Sequence, residues 1–314
     1  MNPPRYKTVT RTQGNNAALK DGTVRPASFT FAFEEVDPLI RAFRTMVREL
    51  NYDICEMALT TYLCARAHGV AFTALPIFLV RAFHHGAIRV NTRAGIAVPK
   101  DLEGRRVGVN RGYTVTTGVW ARGVLQDEYN VDLSRITWVL SGDEHVAQYR
   151  PPENVVPIEA GKKMGDMLAS GELAAAVGVD VEHADVAPLI PDALEAGLAA
   201  LRQRGHYPIN HLVVVRDALL AKHPEIAAET FRAFAESKRL YVERLKAGAI
   251  DKPTKADEVH RRVMEITGDP LPYGIEPNRK VLNELIGHAV TQKIIPGPVS
   301  VDNLFAPGTH GLTG

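Results

Sequence analysis

Residues 81–91 read RAFHHGAIRVN, with two adjacent histidines set between arginines. Imidazoles titrate near neutrality and guanidinium groups hold carboxylates in bidentate pairs, so this run could both move protons and bind acids. Just upstream, Ala74–Val80 (ALPIFLV) is an uninterrupted apolar run of the kind a fully buried strand carries. The cluster therefore stands where a strand ends, and open α/β sheets bind ligands outside the carboxyl ends of their strands. His84, His85 and His211 form a candidate proton-transfer set, and Arg81, Arg89 and Arg111 are candidate carboxylate clamps. Glu56, near the end of the strand-like Asn51–Met57 (NYDICEM), is a candidate general base or a ligand for a substrate hydroxyl. A solvated loop with inert histidines fits RAFHHGAIRVN equally well on residue type alone.

A second cluster follows Arg105–Asn110 (RRVGVN). Arg111–Gly118 (RGYTVTTG) delivers Thr114, Thr116 and Thr117 to the start of a helix expected over about 115–129. Free N–H groups and the helix dipole there suit a carboxylate; plain N-capping by threonine is the structural alternative. The run lacks the Gly-Lys-Ser/Thr of a phosphate loop and the glycine spacing of a dinucleotide fingerprint. No GxSxG elbow is present. Cys55 and Cys64 lie in apolar runs that would raise a thiol pKa and are read as reduced, buried thiols. A metal site built from His84, His85, Glu182, His183 and Asp185 is a competing idea, but it lacks any HExxH-like spacing and its VEHADV part lies on the exit of a different strand, so no metal is expected.

The elements that must position these residues alternate. Lys7–Thr12 and Ser28–Phe33 read as strands. Asp37-Pro38 reads as the cap and first residue of a helix whose apolar face carries Phe43, Met46 and Val47. Strand, helix (about 60–68) and the buried strand 74–80 come next, and β-α-β-α-β order argues a largely parallel sheet with flanking helices. A second α/β unit runs from about Ala94 to Arg204, His206–Val215 (HYPINHLVVV) returns as an apolar strand, and the remainder is mostly helical with a ragged end at 307–314. The expected division is a first lobe of residues 1–92 and 208–314 and an inserted lobe of residues 93–207, with two crossings near 89–95 and 205–211. Clefts between lobes are where small ligands usually bind.

With 314 residues, 45% of them hydrophobic, the chain can build two ordinary domains. A net charge of +1 and no basic-aromatic tract argue against a nucleic-acid partner. The N-terminal stretch shows no apolar signal-type core and no run reaches membrane-spanning length, so no membrane partner and a cytoplasmic location are expected. A homo-oligomer is compatible with this composition.

YDICEMALTTYL, RAFHHGAIRVN, DLEGRRVGVNRGYTVTTGVWARGVLQDEYNVD and HYPINHLVVV together resemble the 4,5-dihydroxyphthalate decarboxylase family of the type II periplasmic-binding-protein-like superfamily. The resemblance covers about Thr8 to Arg239. It implies an α/β fold of two lobes, each a mainly parallel sheet flanked by helices, hinged around a cleft. It also implies cofactor-independent decarboxylation of a hydroxylated aromatic dicarboxylate to a hydroxybenzoate, with solute binding without chemistry, or another lyase reaction, as the alternatives. By motif position it implies His85, His211, Glu56 and His84 as catalytic candidates. Arg81, Asn110, Arg111, Tyr113 and Thr116 become candidates for contact with an aromatic carboxylate. The chain departs from the family pattern at Asn15-Asn16 and within RGYTVTTG, departures that bear on substrate and not on fold.

Overall fold

The computed structural model describes residues 3–314. In chain order these form β1 (Arg5–Val9), α1 (Ala17–Lys20), β2 (Thr30–Phe33), α2 (Ile40–Glu49), β3 (Ile54–Ala58), α3 (Leu59–Ala67) and β4 (Phe72–Arg81). Then come β5 (Ile88–Asn91), β6 (Arg106–Val109), α4 (Thr116–Tyr129), β7 (Thr137–Leu140), β8 (Val155–Pro157), α5 (Met164–Ser170), β9 (Ala175–Val177), β10 (Val186–Pro188) and α6 (Ala193–Arg204). The chain ends through β11 (Ile209–Arg216), α7 (Asp217–Lys222), α8 (Glu225–Lys246), α9 (Lys255–Thr267) and α10 (Arg279–Thr291).

Two compact units result: residues 1–81, 209–283 and 299–314, and residues 82–208 and 284–298. The first holds the sheet β2-β1-β3-β11-β4. In it β2, β1 and β3 run parallel, and β11 runs antiparallel to both β3 and β4. The second holds the sheet β10-β5-β9-β6-β7-β8, parallel from β9 to β8, with β5 reversed against β9 and β10.

The division differs in place from the expected 1–92/208–314 and 93–207. Residues 82–92 go with the second unit because β5 hydrogen-bonds to β9 and β10 there. The segment 284–298 also belongs to the second unit, so the chain changes unit again within α10 and at Pro298/Val299. Hydrophobic periodicity along α10 carries no mark of such a change, because a helix has the same pattern whatever it packs on.

Several local expectations shift. Helix α2 starts at Ile40 and not at the Asp37 cap, and the Asp37–Pro38 peptide is cis. Its buried face is the expected Phe43, Met46 and Val47, and it ends where Leu50 adopts the left-handed region at φ 52°. Strand β8, in the polar-flanked run ENVVPIE, had no sequence signature long enough to read. The C-terminal residues are tied down, with Tyr273 N–H donating to Gly314 O at 2.7 Å. Gly108 in β6 is required by packing: a Cβ there would lie 2.9 Å from Met164 Sδ and 3.0 Å from Leu173 Cδ1. This places the small residue where α5 closes on the sheet.

Candidate active site

In the first unit, the carboxyl ends of β1, β3 and β4 and the start of β11 lie at one end of the sheet. Glu56 on β3 is wholly buried and His211 on β11 sits two registers along the ladder, with His211 paired to Ala58 and Val213 to Glu56. His211 Nδ1 is 2.7 Å from Glu56 Oε1. The second carboxylate oxygen, Oε2, accepts the Arg11 backbone N–H at 2.9 Å. With both oxygens engaged, Glu56 holds the His211 ring in one orientation, since a carboxylate hydrogen-bonded to one ring nitrogen fixes where the other points. The His211 side chain is 20% exposed, and Phe43 meets it edge-on at 5.1 Å between ring centres. Register shifts in the β11–β4 pairing flank His211 on both sides; such bulges re-aim side chains next to active sites.

The loop after β1 holds the carboxylate in place. Asn16 donates to Arg11 O at 2.8 Å, and its Oδ1 accepts from Gln13 N–H at 2.8 Å. Asn15 donates to Leu79 O at 2.9 Å and lies 3.4 Å from Tyr273 Oη. Its buried Oδ1 has no hydrogen-bond partner among the described residues, which leaves an acceptor for a hydroxyl. Burial pushes the Tyr273 phenol well above its ordinary value. Arg81 ends β4, buried, hydrogen-bonded to Asn278 Oδ1 and lying over the Phe78 ring. Sequence reasoning missed Arg11, Tyr273 and Asn278 in this neighbourhood, and marked Asn15 only as a departure from the family pattern. The partners of Asn15 lie as far along the chain as residue 273, beyond the reach of any local pattern.

In the second unit, β6 ends at Val109 and β9 at Val177, and a cavity of about 130 Å³ opens beyond them. Asn110, Arg111, Thr117 and Gly118 line it at the N-terminus of α4. Asn110 donates to Gly178 O at 2.7 Å and accepts from Ser141 Oγ at 3.2 Å. Arg111 stands in the left-handed region at φ 71°, with its N–H donating to Ser141 Oγ at 2.7 Å. Helix N–H groups, an amide and an arginine lining one cavity are residue types that can hold a carboxylate. Thr116 is buried in the first turn of α4, not in the cavity wall. Tyr113 turns the other way, buried against the Arg122 guanidinium, and borders a separate cavity of about 350 Å³ beside Gln126 and Lys293.

The two adjacent histidines belong to the second unit, and both are buried. His85 is wholly buried, its Nε2 3.0 Å from Glu128 Oε2. Glu128 also accepts from Arg204. Burial alone would raise the Glu128 carboxyl; the hydrogen bond and charge of His85 and the charge of Arg204 outweigh it and hold the group below its usual range. His85 is thus placed against Glu128 and does not line the cavity at the start of α4. The cluster continues through His206, 2.8 Å from Glu284 Oε1, to His288.

Metal-type donors gather, among the described residues, at Asp127, Glu284 and His288, within 4.8 Å of one another. Glu284 there already accepts from Arg204 at 3.1 Å. Glu182, His183 and Asp185 form a turn before β10, where His183 Nδ1 accepts from Asp185 N–H, and are not part of that group. Cys55 and Cys64 are buried and not joined in a disulfide, and burial raises the Cys55 thiol well above its ordinary value.

No protein-family model matches the chain. A 4,5-dihydroxyphthalate decarboxylase from Comamonas testosteroni is 30% identical over 311 residues, covering 93% of both chains. The chain belongs to the 4,5-dihydroxyphthalate decarboxylase family. A second member of that name, from Pseudomonas putida, is 35% identical over 168 residues, 51% of this chain and 64% of the relative. Among solved structures, the Candida albicans CA3427 gene product matches with a TM-score of 0.54 at 12% identity, covering 99% of each chain. The desulfurization enzyme DSZB matches at 0.52 and 13% identity, covering 96% of each. A sulfonate-binding protein from Methylobacillus flagellatus matches at 0.50 and 11% identity, covering 97% of this chain and 92% of that one. At these identities the likeness concerns fold: this family member has the periplasmic-binding-protein-like fold.

Proposed function

We propose that this protein is a carboxy-lyase that removes one carboxylate, as CO₂, from a hydroxylated aromatic dicarboxylate such as 4,5-dihydroxyphthalate, leaving a hydroxybenzoate. The observation that carries the reading beyond family membership is the His211–Glu56 pair at the carboxyl ends of the first unit's strands. Decarboxylation of such a ring consumes one proton: a C–H bond forms at the ipso carbon, the C–C bond to the carboxylate breaks, and its electron pair returns to the ring. The hydroxyl para to that carbon raises its electron density by lone-pair donation into the ring and keeps its own proton, hydrogen-bonded to an acceptor such as Asn15 Oδ1.

His211, held through Nδ1, presents Nε2 as the proton donor to carbon. Glu56 supports the imidazolium before transfer and keeps the regenerated imidazole in the correct tautomer. This assigns Glu56 a positioning role in place of a general base. Asn15 Oδ1 is a hydroxyl acceptor in the same unit. The cavity at Asn110, Arg111 and Thr117 is a carboxylate seat in the second unit. His85, locked to Glu128, is not used.

The test is incubation of purified protein with 4,5-dihydroxyphthalate, following CO₂ and aromatic product by chromatography. Turnover lost in His211→Ala and kept in a folded His85→Gln supports the assignment. Tight binding with ligand recovered intact would favour a solute-binding role. No helix among the described residues is long and apolar enough to cross a membrane. We place the activity in the cytoplasm and in phthalate catabolism, supported by two buried cysteines not joined in a disulfide and by the names of the relatives; cell fractionation tests the location.

A further inference from the structure

The second unit buries one guanidinium completely. Arg122 lies on α4 one turn beyond Gly118, and its side chain runs back along the helix towards the N-terminus. Nε donates to Gln292 Oε1 at 2.7 Å and Nη2 to Tyr113 O at 2.6 Å. The group stacks 3.8 Å over the Tyr113 ring. Nη1 is buried without a hydrogen-bond partner among the described residues. Among the described residues no carboxylate is hydrogen-bonded to it; Glu144 acts on it through its charge, and its oxygens accept from Tyr113 N–H and from Thr114 N–H and Oγ1. A buried cation without a bonded counter-charge is costly.

The direction of Nη1 is informative. A Cβ on Gly118 would sit 3.1 Å from it and 3.4 Å from Val109 Cγ1. Gly118 and Val109 are both walls of the cavity at the start of α4. The missing side chain at 118 therefore leaves the least possible matter between the cavity and the buried charge.

We propose that Arg122 is a positioning residue for the substrate carboxylate seated in this cavity, acting through the gap at Gly118 as its buried counter-charge. The proposal rests on the carboxylate reading of the cavity given above. The helix N-terminus and Arg111 supply donors at the mouth. Arg122 supplies a fixed charge from behind, in a medium where Coulomb attraction is screened far less than in water. A dianionic ring is thereby preferred over a neutral one of the same shape.

The experiment uses phthalate, which lacks the hydroxyls and so serves as a probe of binding, and its uncharged diamide. Calorimetric titration is run on the wild type, Arg122→Gln and Gly118→Ala, with melting curves of each protein without ligand. Arg122→Gln should weaken phthalate binding about tenfold or more and leave the diamide affinity unchanged. Its ligand-free melting temperature should match or exceed the wild type, because an uncompensated buried charge is gone. In turnover, KM should rise with kcat held. A folded Arg122→Gln with wild-type phthalate affinity, or with phthalate and diamide weakened equally, overturns the proposal. Should Arg122→Gln fail to fold, Gly118→Ala decides: weaker phthalate binding with unchanged diamide binding supports it, and unchanged phthalate binding overturns it. A wild type that turns over substrate yet shows no preference for phthalate over diamide overturns the carboxylate reading of the cavity and the inference with it, and leaves the His211 assignment standing.

Discussion

Replacing Glu56 by Gln tests the chemistry most directly, because it preserves shape and changes only what the group can accept. Glu56 is wholly buried and accepts two hydrogen bonds, from Arg11 N–H and from His211 Nδ1. A glutamine has one acceptor oxygen. If that oxygen stays with the fixed backbone N–H of Arg11, the amide NH₂ faces His211 Nδ1. Nδ1 must then act as acceptor, and the neutral ring carries its proton on the other nitrogen. An imidazolium, with a proton on both nitrogens, would meet an N–H head-on.

A charge-assisted hydrogen bond is worth about 1.5–3 kcal/mol, which is about 10- to 150-fold in rate. Loss of a general acid altogether costs about 10²- to 10⁴-fold. We expect kcat to fall by about two to three orders of magnitude, with KM little changed. Melting temperature should stay close to wild type, because a buried charge is removed along with its partner's favourable geometry. The assay is CO₂ release under saturating 4,5-dihydroxyphthalate across pH 5–9. A folded Glu56→Gln that keeps more than about a tenth of wild-type kcat would refute the argument that this carboxylate orients and charges His211.

Other outcomes follow from the same structure. Glu128→Gln should destabilise the fold by about 1–3 kcal/mol, because it turns an amide towards the buried His85 and removes one of the two carboxylates that Arg204 bonds, while kcat of the surviving folded protein stays near wild type; chemical denaturation and turnover measure the two separately. Stability should also fall in acid through His260. Burial lowers this imidazole from 6.5 to about 4, against the raising effect of Asp257. The unfolded chain therefore binds the extra proton first, so the contribution is complete above about pH 6.5 and is lost as pH falls towards 4. The loss is at most about 3 kcal/mol for this half-buried ring. His260→Gln should flatten that part of the denaturation-versus-pH curve, and an unchanged slope would remove His260 as its source. Finally, Cys55 should resist aromatic disulfide reagents at pH 8 in the native protein and react on unfolding, since its thiol is buried and its pKa raised.

Much of this protein was legible in order along the chain. Apolar runs such as Ala74–Val80, and Leu212–Val215 at the end of HYPINHLVVV, mark strands because a strand covered on both faces must be apolar throughout. Family motifs spread over the chain carried the fold and the activity class. Glu56, His211 and Arg111 were singled out by residue type next to a strand end, and the positions of strand ends are a local property. RAFHHGAIRVN shows the limit. Its histidines read as a site because titratable residues beside arginines look the same in sequence whether they face a ligand or a buried acid.

The tertiary structure supplies the surroundings that sequence lacks. It brought Glu128 to His85 and closed that pair into an interior ion cluster. It brought Glu56 to His211 across antiparallel strands 155 positions apart in sequence. Sequence determined which residues can hold a charge or a proton and where strands end. Only folding determined whether each charge found its partner inside the protein or was left pointing at a substrate, because that depends on distances no spacing along the chain encodes.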